Sequence, residues 1–326
     1  MDTQTPLIQF RESPDALRLR SGKPDPMSRF FTGATGFAAL LILAILAIIL
    51  GNVIWNGMPV LSWRFVSTGT AQDMFDPKTA GILPMILGTT AKVFLMTLFV
   101  IPVGVITAIY LTEYAHATSL FTRVIRGAVH NLAGVPSIVF GLFGLGFFIN
   151  FAGGSLDALF HPENPEPIWG KPALLWASLT LAVMTLPVMI VATEESLRAI
   201  PMGLREASLA LGATKLETIW KIVLPQAMPG ILTGGILAIS RAAGEVAPIL
   251  FTGAAYYMAH YPKALTDQFM DLGYHVFILS TQSPNIDQTR PILYATVLVL
   301  LLLTFTLNIV AILVRARMRA QLRALH

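Results

Sequence analysis

Long apolar runs alternate with short polar segments along most of this chain. Several runs reach the roughly 20 residues that a helix needs to cross about 30 Å of hydrocarbon. Because charged residues seldom interrupt them, the pattern predicts an all-α integral membrane protein with six transmembrane helices. The predicted spans cover residues 31–55, 82–111, 125–151, 172–194, 227–255 and 291–314.

The polar segment 195–226 has a helical pattern of its own between two of these spans. Pro201 suits the first turn of a helix, where its missing N–H has no intrahelical partner. Gly212 is expected to end that helix, and Thr214 opens a Thr-x-x-Glu capping box that begins a second one. Pro225 is expected to end or bend this second helix. The segment is therefore predicted to form a helix, a glycine turn and a helix outside the bilayer.

Composition supports a membrane protein and excludes several kinds of chemistry. Hydrophobic residues make up 55% of the chain, charged residues only 12%, and the mean hydropathy is +0.68. A soluble protein with an unusually large core is disfavoured because the apolar runs are long enough to span a bilayer. The chain contains no cysteine, which excludes disulfides, thiolate metal sites and thiol catalysis.

Lysine and arginine are unevenly divided between the two sets of segments that flank the spans. Fifteen fall in one set and five in the other, which predicts that both termini and segment 195–226 face the cytoplasm. The larger set is Arg11, Arg18, Arg20, Lys23, Arg29, Arg123, Arg126, Arg198, Arg205, Lys215, Lys221, Arg315, Arg317, Arg319 and Arg323. The smaller set is Arg64, Lys78, Lys171, Lys263 and Arg290. The formal charge of +4 then reflects membrane topology, and no nucleic-acid partner is expected.

No motif in the sequence supports catalysis or nucleotide binding. Ser21-Gly22-Lys23 lacks the upstream glycine of a phosphate-binding loop and is followed by Pro24. A DNA-binding helix-turn-helix has the same outline as segment 195–226, but this segment is held by spans at both ends and is only modestly basic. No triad, paired carboxylates with membrane access or metal-ligand cluster emerges, so no catalytic residue, metal or bound cofactor is assigned.

A motif within the polar segment resembles a known family. Glu206-Ala207-Ser208, three residues, Gly212, nine residues and Ile222-x-Leu224-Pro225 are similar to the EAA loop of the membrane subunits of ABC importers. In that family the loop contains a coupling helix that sits in a groove of a cytoplasmic ATPase. The resemblance assigns ATPase coupling to Glu206, Ala207, Ser208, Gly212, Leu224 and Pro225. Ser208 stands where the consensus has alanine, which replaces one small residue by another.

Three further segments narrow the resemblance to phosphate-uptake permeases. Residues 127–146, with Asn131-Leu-Ala-Gly-Val-Pro-Ser137, are similar to the third helix of those proteins, and residues 237–248 are similar to the fifth. Residues 280–291 resemble the A-type subunit (PstA) rather than its C-type partner. The similarity covers roughly residues 82–320.

The resemblance implies a type I ABC importer permease in a prokaryotic plasma membrane. Residues 82–315 would form its transmembrane domain, which provides half of the path for inorganic phosphate. A C-type permease subunit, an ATPase dimer that uses ATP-Mg and an external phosphate-binding protein would complete the transporter, although the sequence also leaves a homodimer open. Residues 1–30 are expected to be a disordered cytoplasmic tail and 316–326 a basic one. Sulfate, molybdate or phosphonate permeases remain alternatives, and a proton-driven carrier fits a six-span unit with this loop badly.

Arg241 is the residue with the sharpest implication for the path. An arginine in a membrane helix costs about 2.5 to 3.5 kcal/mol on insertion scales, so it is expected to face protein, water or ligand. Glu245 follows four residues later and shares its face. The two either pair to fix helix packing, or Arg241 lines the path and binds an oxyanion while Glu245 positions it and aids release. With the resemblance included, the second interpretation is preferred.

Two other polar residues fall in or near predicted spans. Lys92 lies in the second span and His130 near the start of the third. Each side chain can reach the interface, pair with a carboxylate or touch the path, and the structural interpretation is favoured for both.

Overall fold

A computed structural model describes residues 26–70, 74–116, 118–258 and 261–324 of the chain. The chain divides into two compact units, Met1–Asn52 and Val53–His326, and the described part of the first is helical. The α-helices are α1 Pro26–Gly57, α2 Trp63–Ser67, α3 Leu83–Ile109, α4 Leu120–Leu132, α5 Ser137–Phe143, α6 Gly154–Phe160, α7 Leu174–Arg198, α8 Met202–Ala210, α9 Lys215–Thr218, α10 Leu224–Ala243, α11 Ile249–Thr252, α12 Leu272–Thr281 and α13 Ile286–Ala324. π-Helical segments Tyr110–Tyr114, Gly144–Gly153 and Ile219–Val223 extend α3, join α5 to α6 and join α9 to α10.

Six helical stretches in the described ranges are long and apolar enough to cross a membrane, as the sequence predicts. They are Pro26–Gly57, Leu83–Tyr114, Ser137–Phe160, Leu174–Arg198, Lys215–Ala243 and Ile286–Ala320. The chain is therefore a multi-pass membrane protein built from helices. Most of the predicted tail 1–30 lies outside the described residues, whereas 26–30 belong to α1 and most of the predicted tail 316–326 continues α13.

The predicted boundaries of the third and fifth spans are wrong. The third begins at Ser137 rather than 125, because Pro136 precedes it and a turn at 133–135 separates it from α4. The fifth begins at Lys215 rather than 227 and ends at Ala243 rather than 255. A non-helical stretch from Gly244 to Pro248 interrupts the predicted span. The rest of that span contains the short helix α11.

The core of the second unit forms around α7. This helix packs against α3 and α10, and α13 packs against α10 and α12. Fully buried Met96 of α3, Leu181 and Met189 of α7 and Ala238 of α10 share one apolar cluster. α10 approaches α7 closely because Gly234 has no side chain: a Cβ there would lie 2.8 Å from that of Ala192. α10 is thus held directly against the central helix.

A buried ion pair ties α3 to the start of α12. Lys92 Nζ lies 2.6 Å from Asp271 Oδ2, and both side chains are fully buried. Thr89 Oγ1 donates to the same carboxylate oxygen at 2.9 Å, and Asp271 Oδ1 accepts the backbone N–H of Tyr274. Lys92 therefore pairs with a carboxylate, one of the alternatives that the sequence left open.

We expect that removing either partner of this ion pair alone strongly destabilises the folded protein. Lys92→Met or Asp271→Leu leaves one buried charge unpaired, which costs about 3–5 kcal/mol. The double variant Lys92→Met/Asp271→Leu removes both charges and is expected to recover most of that loss. Thermal unfolding of the purified protein in detergent measures the difference. Lys221→Met is the matched control, because Lys221 is 72% exposed and loses only a surface pair.

That expectation would be contradicted if the single variants unfolded at the same temperature as the Lys221→Met control. It would also be contradicted if the double variant were less stable than both single variants.

Candidate functional site

The polar segment forms the predicted helix, glycine turn and helix. α8 begins after Pro201, and Gly212 adopts a positive φ of 87°, a conformation that favours glycine. Thr214 Oγ1 accepts the N–H of Glu217, and the Glu217 carboxylate accepts the N–H of Thr214 at 3.0 Å. Both bonds of the predicted capping box are present, so α9 begins where the sequence indicates.

Pro225 does not end the second helix, which was one of the two expected alternatives. The π-helical segment Ile219–Val223 precedes it, and Leu224 donates its N–H to the carbonyl of Ile219. The wider π-turn accommodates Pro225, which has no backbone N–H to donate. The chain therefore stays helical from Lys215 to Ala243. At about 1.5 Å per residue, this rod is roughly 40 Å long.

The EAA-like residues divide into an outer and an inner group. Glu206, Ala207 and Gly212 are exposed, as docking requires. Ser208 is half-buried, and its hydroxyl lies 2.9 Å from Thr218 Oγ1, which ties α8 to α9. The last two residues assigned to ATPase coupling, Leu224 and Pro225, are half-buried at the start of α10.

Exposed apolar side chains extend the outer surface of the loop. Leu211 is 89% exposed, and Met202, Leu216 and Trp220 are also exposed. Large apolar groups in water on a polar loop are typical of a surface that a partner covers.

Arg205 belongs to the site, although the sequence indicates only that it is one of the cations of the polar segment. Its guanidinium is almost fully buried and lies 2.8 Å from Glu113 Oε1. It also donates to the carbonyls of Leu197 and Ile200 at the end of α7, at 2.8 and 2.7 Å. Arg205 thereby joins α8 to α7 and to the π-helical end of α3. Its carboxylate partner lies 92 residues away in the chain, so no local signal marks the pair.

Arg241 and Glu245 are brought together, but not within one helix. Arg241 occupies the last turn of α10, which ends at Ala243, and Glu245 lies in the following turn. Arg241 Nε and Glu245 Oε1 are 3.6 Å apart, and the side chains are 38% and 24% exposed. The predicted span 227–255 places Arg241 in the middle of a membrane helix, and this is wrong. Arg241 lies at a helix C-terminus, which favours a cation.

The turn after Arg241 is also held from the buried side. Lys92 Nζ, already paired with Asp271, lies 3.5 Å from the backbone carbonyl of Glu245. A Cβ built at exposed Gly244 would meet no atom within 4 Å. The turn is thus anchored by its backbone on one side and open on the other.

His130 belongs neither to the polar segment 195–226 nor to the turn that holds Arg241 and Glu245. It is an exposed residue in the last turn of α4. Within the described ranges, no group of three or more histidine or carboxylate side chains is placed to hold a metal ion.

Known proteins with related sequences are transporter subunits. A family model described as binding-protein-dependent transport system inner membrane component matches residues 103–320. The chain is 36% identical to the probable ABC transporter permease YqgI of Bacillus subtilis over 68% of each chain. It is 37% identical to phosphate transport system permease PstA 1 of Mycobacterium tuberculosis, covering 58% of this chain and 55% of that one. A probable PstA of Methanocaldococcus jannaschii is 30% identical over 76% of this chain and 80% of its own.

A solved structure with the same fold agrees with the sequence relatives. The structure of a bacterial alginate ABC transporter, in complex with a pentasaccharide-bound periplasmic protein, matches with a TM-score of 0.60. The match covers 87% of this chain and 94% of that one, at 13% identity, and so concerns the fold alone. The six helical stretches, the matched family and this fold agree, and the chain belongs to the family of binding-protein-dependent transport system inner membrane components, the permease subunits of ABC importers.

Proposed function

We propose that this chain is the A-type membrane subunit of an ATP-driven phosphate importer and forms half of its translocation path. The observation that carries the proposal is the half-exposed Arg241–Glu245 pair at the broken end of α10. Two relatives that cover more than half of the chain are described as phosphate transport system permeases, which supports phosphate as the substrate.

The break after α10 suits a path through a membrane protein. Unwound backbone at membrane depth is tolerated where it is buried in protein or lines a water-filled cavity. Arg241, at 38% exposure, presents its guanidinium on the open side of that break. A planar guanidinium can donate two parallel hydrogen bonds to a phosphate oxyanion.

Glu245 gives the site a way to release its ligand. Its carboxylate lies 3.6 Å from Arg241 Nε, near enough to attract the guanidinium but longer than a hydrogen bond. An arriving oxyanion competes with this weak partner, and the carboxylate takes its place when the oxyanion leaves. Conduction requires this balance, because a path that binds too tightly does not turn over.

The polar segment 195–226, which we call the coupling loop, supplies the connection to ATP hydrolysis in this proposal. Exposed Glu206, Ala207 and Gly212 form the surface that a partner ATPase would receive in its groove. Movement of α8 then reaches α7 and α3 through Arg205, and it reaches Arg241 through the helical rod Lys215–Ala243. The chain has no phosphate-binding loop motif, which supports ATP-Mg being bound by that partner.

The proposed assembly rests on the number of spans and on the resemblance to phosphate-uptake permeases. Six spans are too few to enclose a path alone, so we expect a second permease subunit beside this one. The resemblance implies that it is a C-type subunit and that two ATPase subunits and an external phosphate-binding protein complete the transporter. The excess of lysine and arginine on one side supports both termini and the loop lying in the cytoplasm of a prokaryote. The membrane is then the plasma membrane, which is the inner membrane where there are two.

Arg241→Gln is expected to lower phosphate uptake at least about tenfold in cells that depend on this transporter, because a charge-assisted hydrogen bond contributes about 1.5–3 kcal/mol. Arg241→Lys should also be impaired, since an ammonium group is a point charge without the planar fork. Radiolabelled phosphate uptake is measured beside membrane abundance. Arg290→Gln removes an exposed cation elsewhere and serves as the control. Normal uptake by Arg241→Gln at normal abundance would exclude Arg241 from the path.

Competition separates phosphate from other oxyanions. Unlabelled phosphate is expected to suppress the labelled uptake, whereas sulfate, molybdate and a simple alkylphosphonate at the same concentration should leave most of it. Stronger suppression by one of these anions would identify a permease for that anion and would contradict the phosphate assignment.

Arg205→Gln is expected to leave the ATPase bound while lowering phosphate transport per ATP hydrolysed. The outer surface of α8 remains, but its link to α3 and α7 is lost. Because this variant also leaves Glu113 unpaired, Arg205→Gln/Glu113→Gln is made in parallel to restore charge balance. ATPase copurification, hydrolysis and uptake are compared with Arg123→Gln, which removes an exposed cation of α4. Normal transport per ATP in both Arg205 variants would show that Arg205 does not transmit the movement.

A further inference from the structure

A cavity outside the proposed path separates the coupling loop from the helix ends beneath it. Its volume is about 860 Å³. Residues of the π-helical end of α3, of α4, of the end of α7, and of α8 and α9 line it. Four lining side chains are cationic, namely Arg126, Arg198, Arg205 and Lys215, and two are carboxylates, Glu113 and Glu206. The cavity therefore carries an excess of positive charge.

Three of the four cations leave most of their N–H groups without a hydrogen bond to the described residues. Arg205 is the exception, because it makes four hydrogen bonds to Glu113 and two backbone carbonyls. Arg198, whose side chain is 55% exposed, makes one bond of 3.2 Å to Glu194 on its own helix. Lys215 lies over the ring of Tyr114 at 4.8 Å and makes no hydrogen bond within the described part of the chain.

Two buried donor atoms on the same wall make no hydrogen bond to any described residue. Arg126 donates through Nη2 to the carbonyl of Leu111, but its buried Nε has no hydrogen-bond partner among the described residues. The carboxylate oxygen of Glu194 beside it is 3.8 Å away, beyond hydrogen-bond range. The buried hydroxyl of Thr112 is likewise without a partner in the described ranges. Glu194 Oε1 is also buried without a hydrogen bond in the described ranges, so its ion pair with Arg126 leaves both atoms unsatisfied. Since buried polar groups are nearly always satisfied, the donors Arg126 and Thr112 favour a further acceptor that binds here and competes with Glu194.

We propose that this cavity binds a phosphate group, either as inorganic phosphate or as the headgroup of an anionic phospholipid. A phosphate group offers several acceptor oxygens, which suits two arginines, a lysine and a hydroxyl that converge on one space. The apolar part of the wall, including Ile200, Leu209 and Ile219, leaves room for the glycerol end of a lipid. The ligand bridges α4 and α7 to the coupling loop, so its binding holds the loop against the membrane helices.

This site is distinct from the proposed substrate position. Arg241 and Glu245 do not line the cavity. The inference concerns control of the coupling loop and does not require that the chain transport phosphate.

The test uses the purified full-length chain with Arg241→Gln as the background, which removes the other proposed oxyanion contact. In one arm, inorganic phosphate is titrated in detergent at constant ionic strength. In the other, nanodiscs of phosphatidylglycerol are compared with nanodiscs of phosphatidylcholine. Hydrogen exchange of residues 202–218 is the readout, because a bound ligand joins this segment to α4 and α7.

The site variant is Arg198→Gln/Lys215→Gln, and the matched control is Arg123→Gln/Lys221→Gln. Each removes two exposed cations from the predicted cytoplasmic side, but Arg123 and Lys221 do not line the cavity. Phosphate or phosphatidylglycerol is expected to slow exchange of 202–218 in the background chain and in the control. In the site variant, the phosphate concentration needed for this protection should rise about tenfold or more. The protection given by phosphatidylglycerol should fall about tenfold or more.

The two arms distinguish the source of the phosphate group. Protection by inorganic phosphate identifies a site for the free anion, and protection by phosphatidylglycerol alone identifies a lipid headgroup. If the double site variant does not fold, Lys215→Gln is compared with Lys221→Gln under the same conditions. Equal responses of site and control variants, or no response to either probe, would overturn the proposal.

Discussion

The buried guanidinium of Arg205 is the interaction on which the arrangement of the coupling loop depends. It lies where three elements meet, and it pairs with Glu113 while it satisfies two carbonyls at the end of α7. Leu197 lies in the last turn of α7, where carbonyls lack the usual helical N–H partner, so the same group helps to cap α7 and fixes α8 below it. A buried charge with these partners is costly to separate from them, and α8 is therefore a rigid extension of the membrane core rather than a loose loop.

The second constraint is the continuity of the chain between α9 and α10. A π-helical segment before Pro225 avoids the break that proline would cause, so the rod from the loop to Arg241 is uninterrupted. Close packing at Gly234 then holds the rod against α7. The loop is connected to the core at two points, through Arg205 to α7 and α3 and through α10. In the proposed mechanism, a displacement of α8 would therefore reach both α7 and the break at Gly244.

Features that depend on local sequence could be predicted, whereas those that depend on distant partners could not. The apolar runs gave the six spans, and Thr214 with Gly212 gave the turn of the loop, because hydrophobicity, capping and positive φ are local properties. The end of the fifth span differs from the prediction, since hydrophobicity continues past Gly244. The sequence also does not decide between an end and a bend at Pro225, because a π-turn is not visible in composition. The ion pairs of Arg205 and Lys92 join segments far apart in the chain, and nothing beside either residue indicates its partner.

The two charge pairs near the end of α10 differ in burial and in distance, and Glu245 contacts both of them. Lys92 and Asp271 are fully buried and 2.6 Å apart, whereas Arg241 and Glu245 are part-exposed and 3.6 Å apart. Lys92 reaches the backbone carbonyl of Glu245 at 3.5 Å, and Arg241 faces its carboxylate. The buried pair can therefore hold the turn in place by its backbone while the carboxylate remains free to move. In the proposed path, a ligand at Arg241 would replace that carboxylate without disturbing the helix break, and the site would exchange partners on a fixed scaffold.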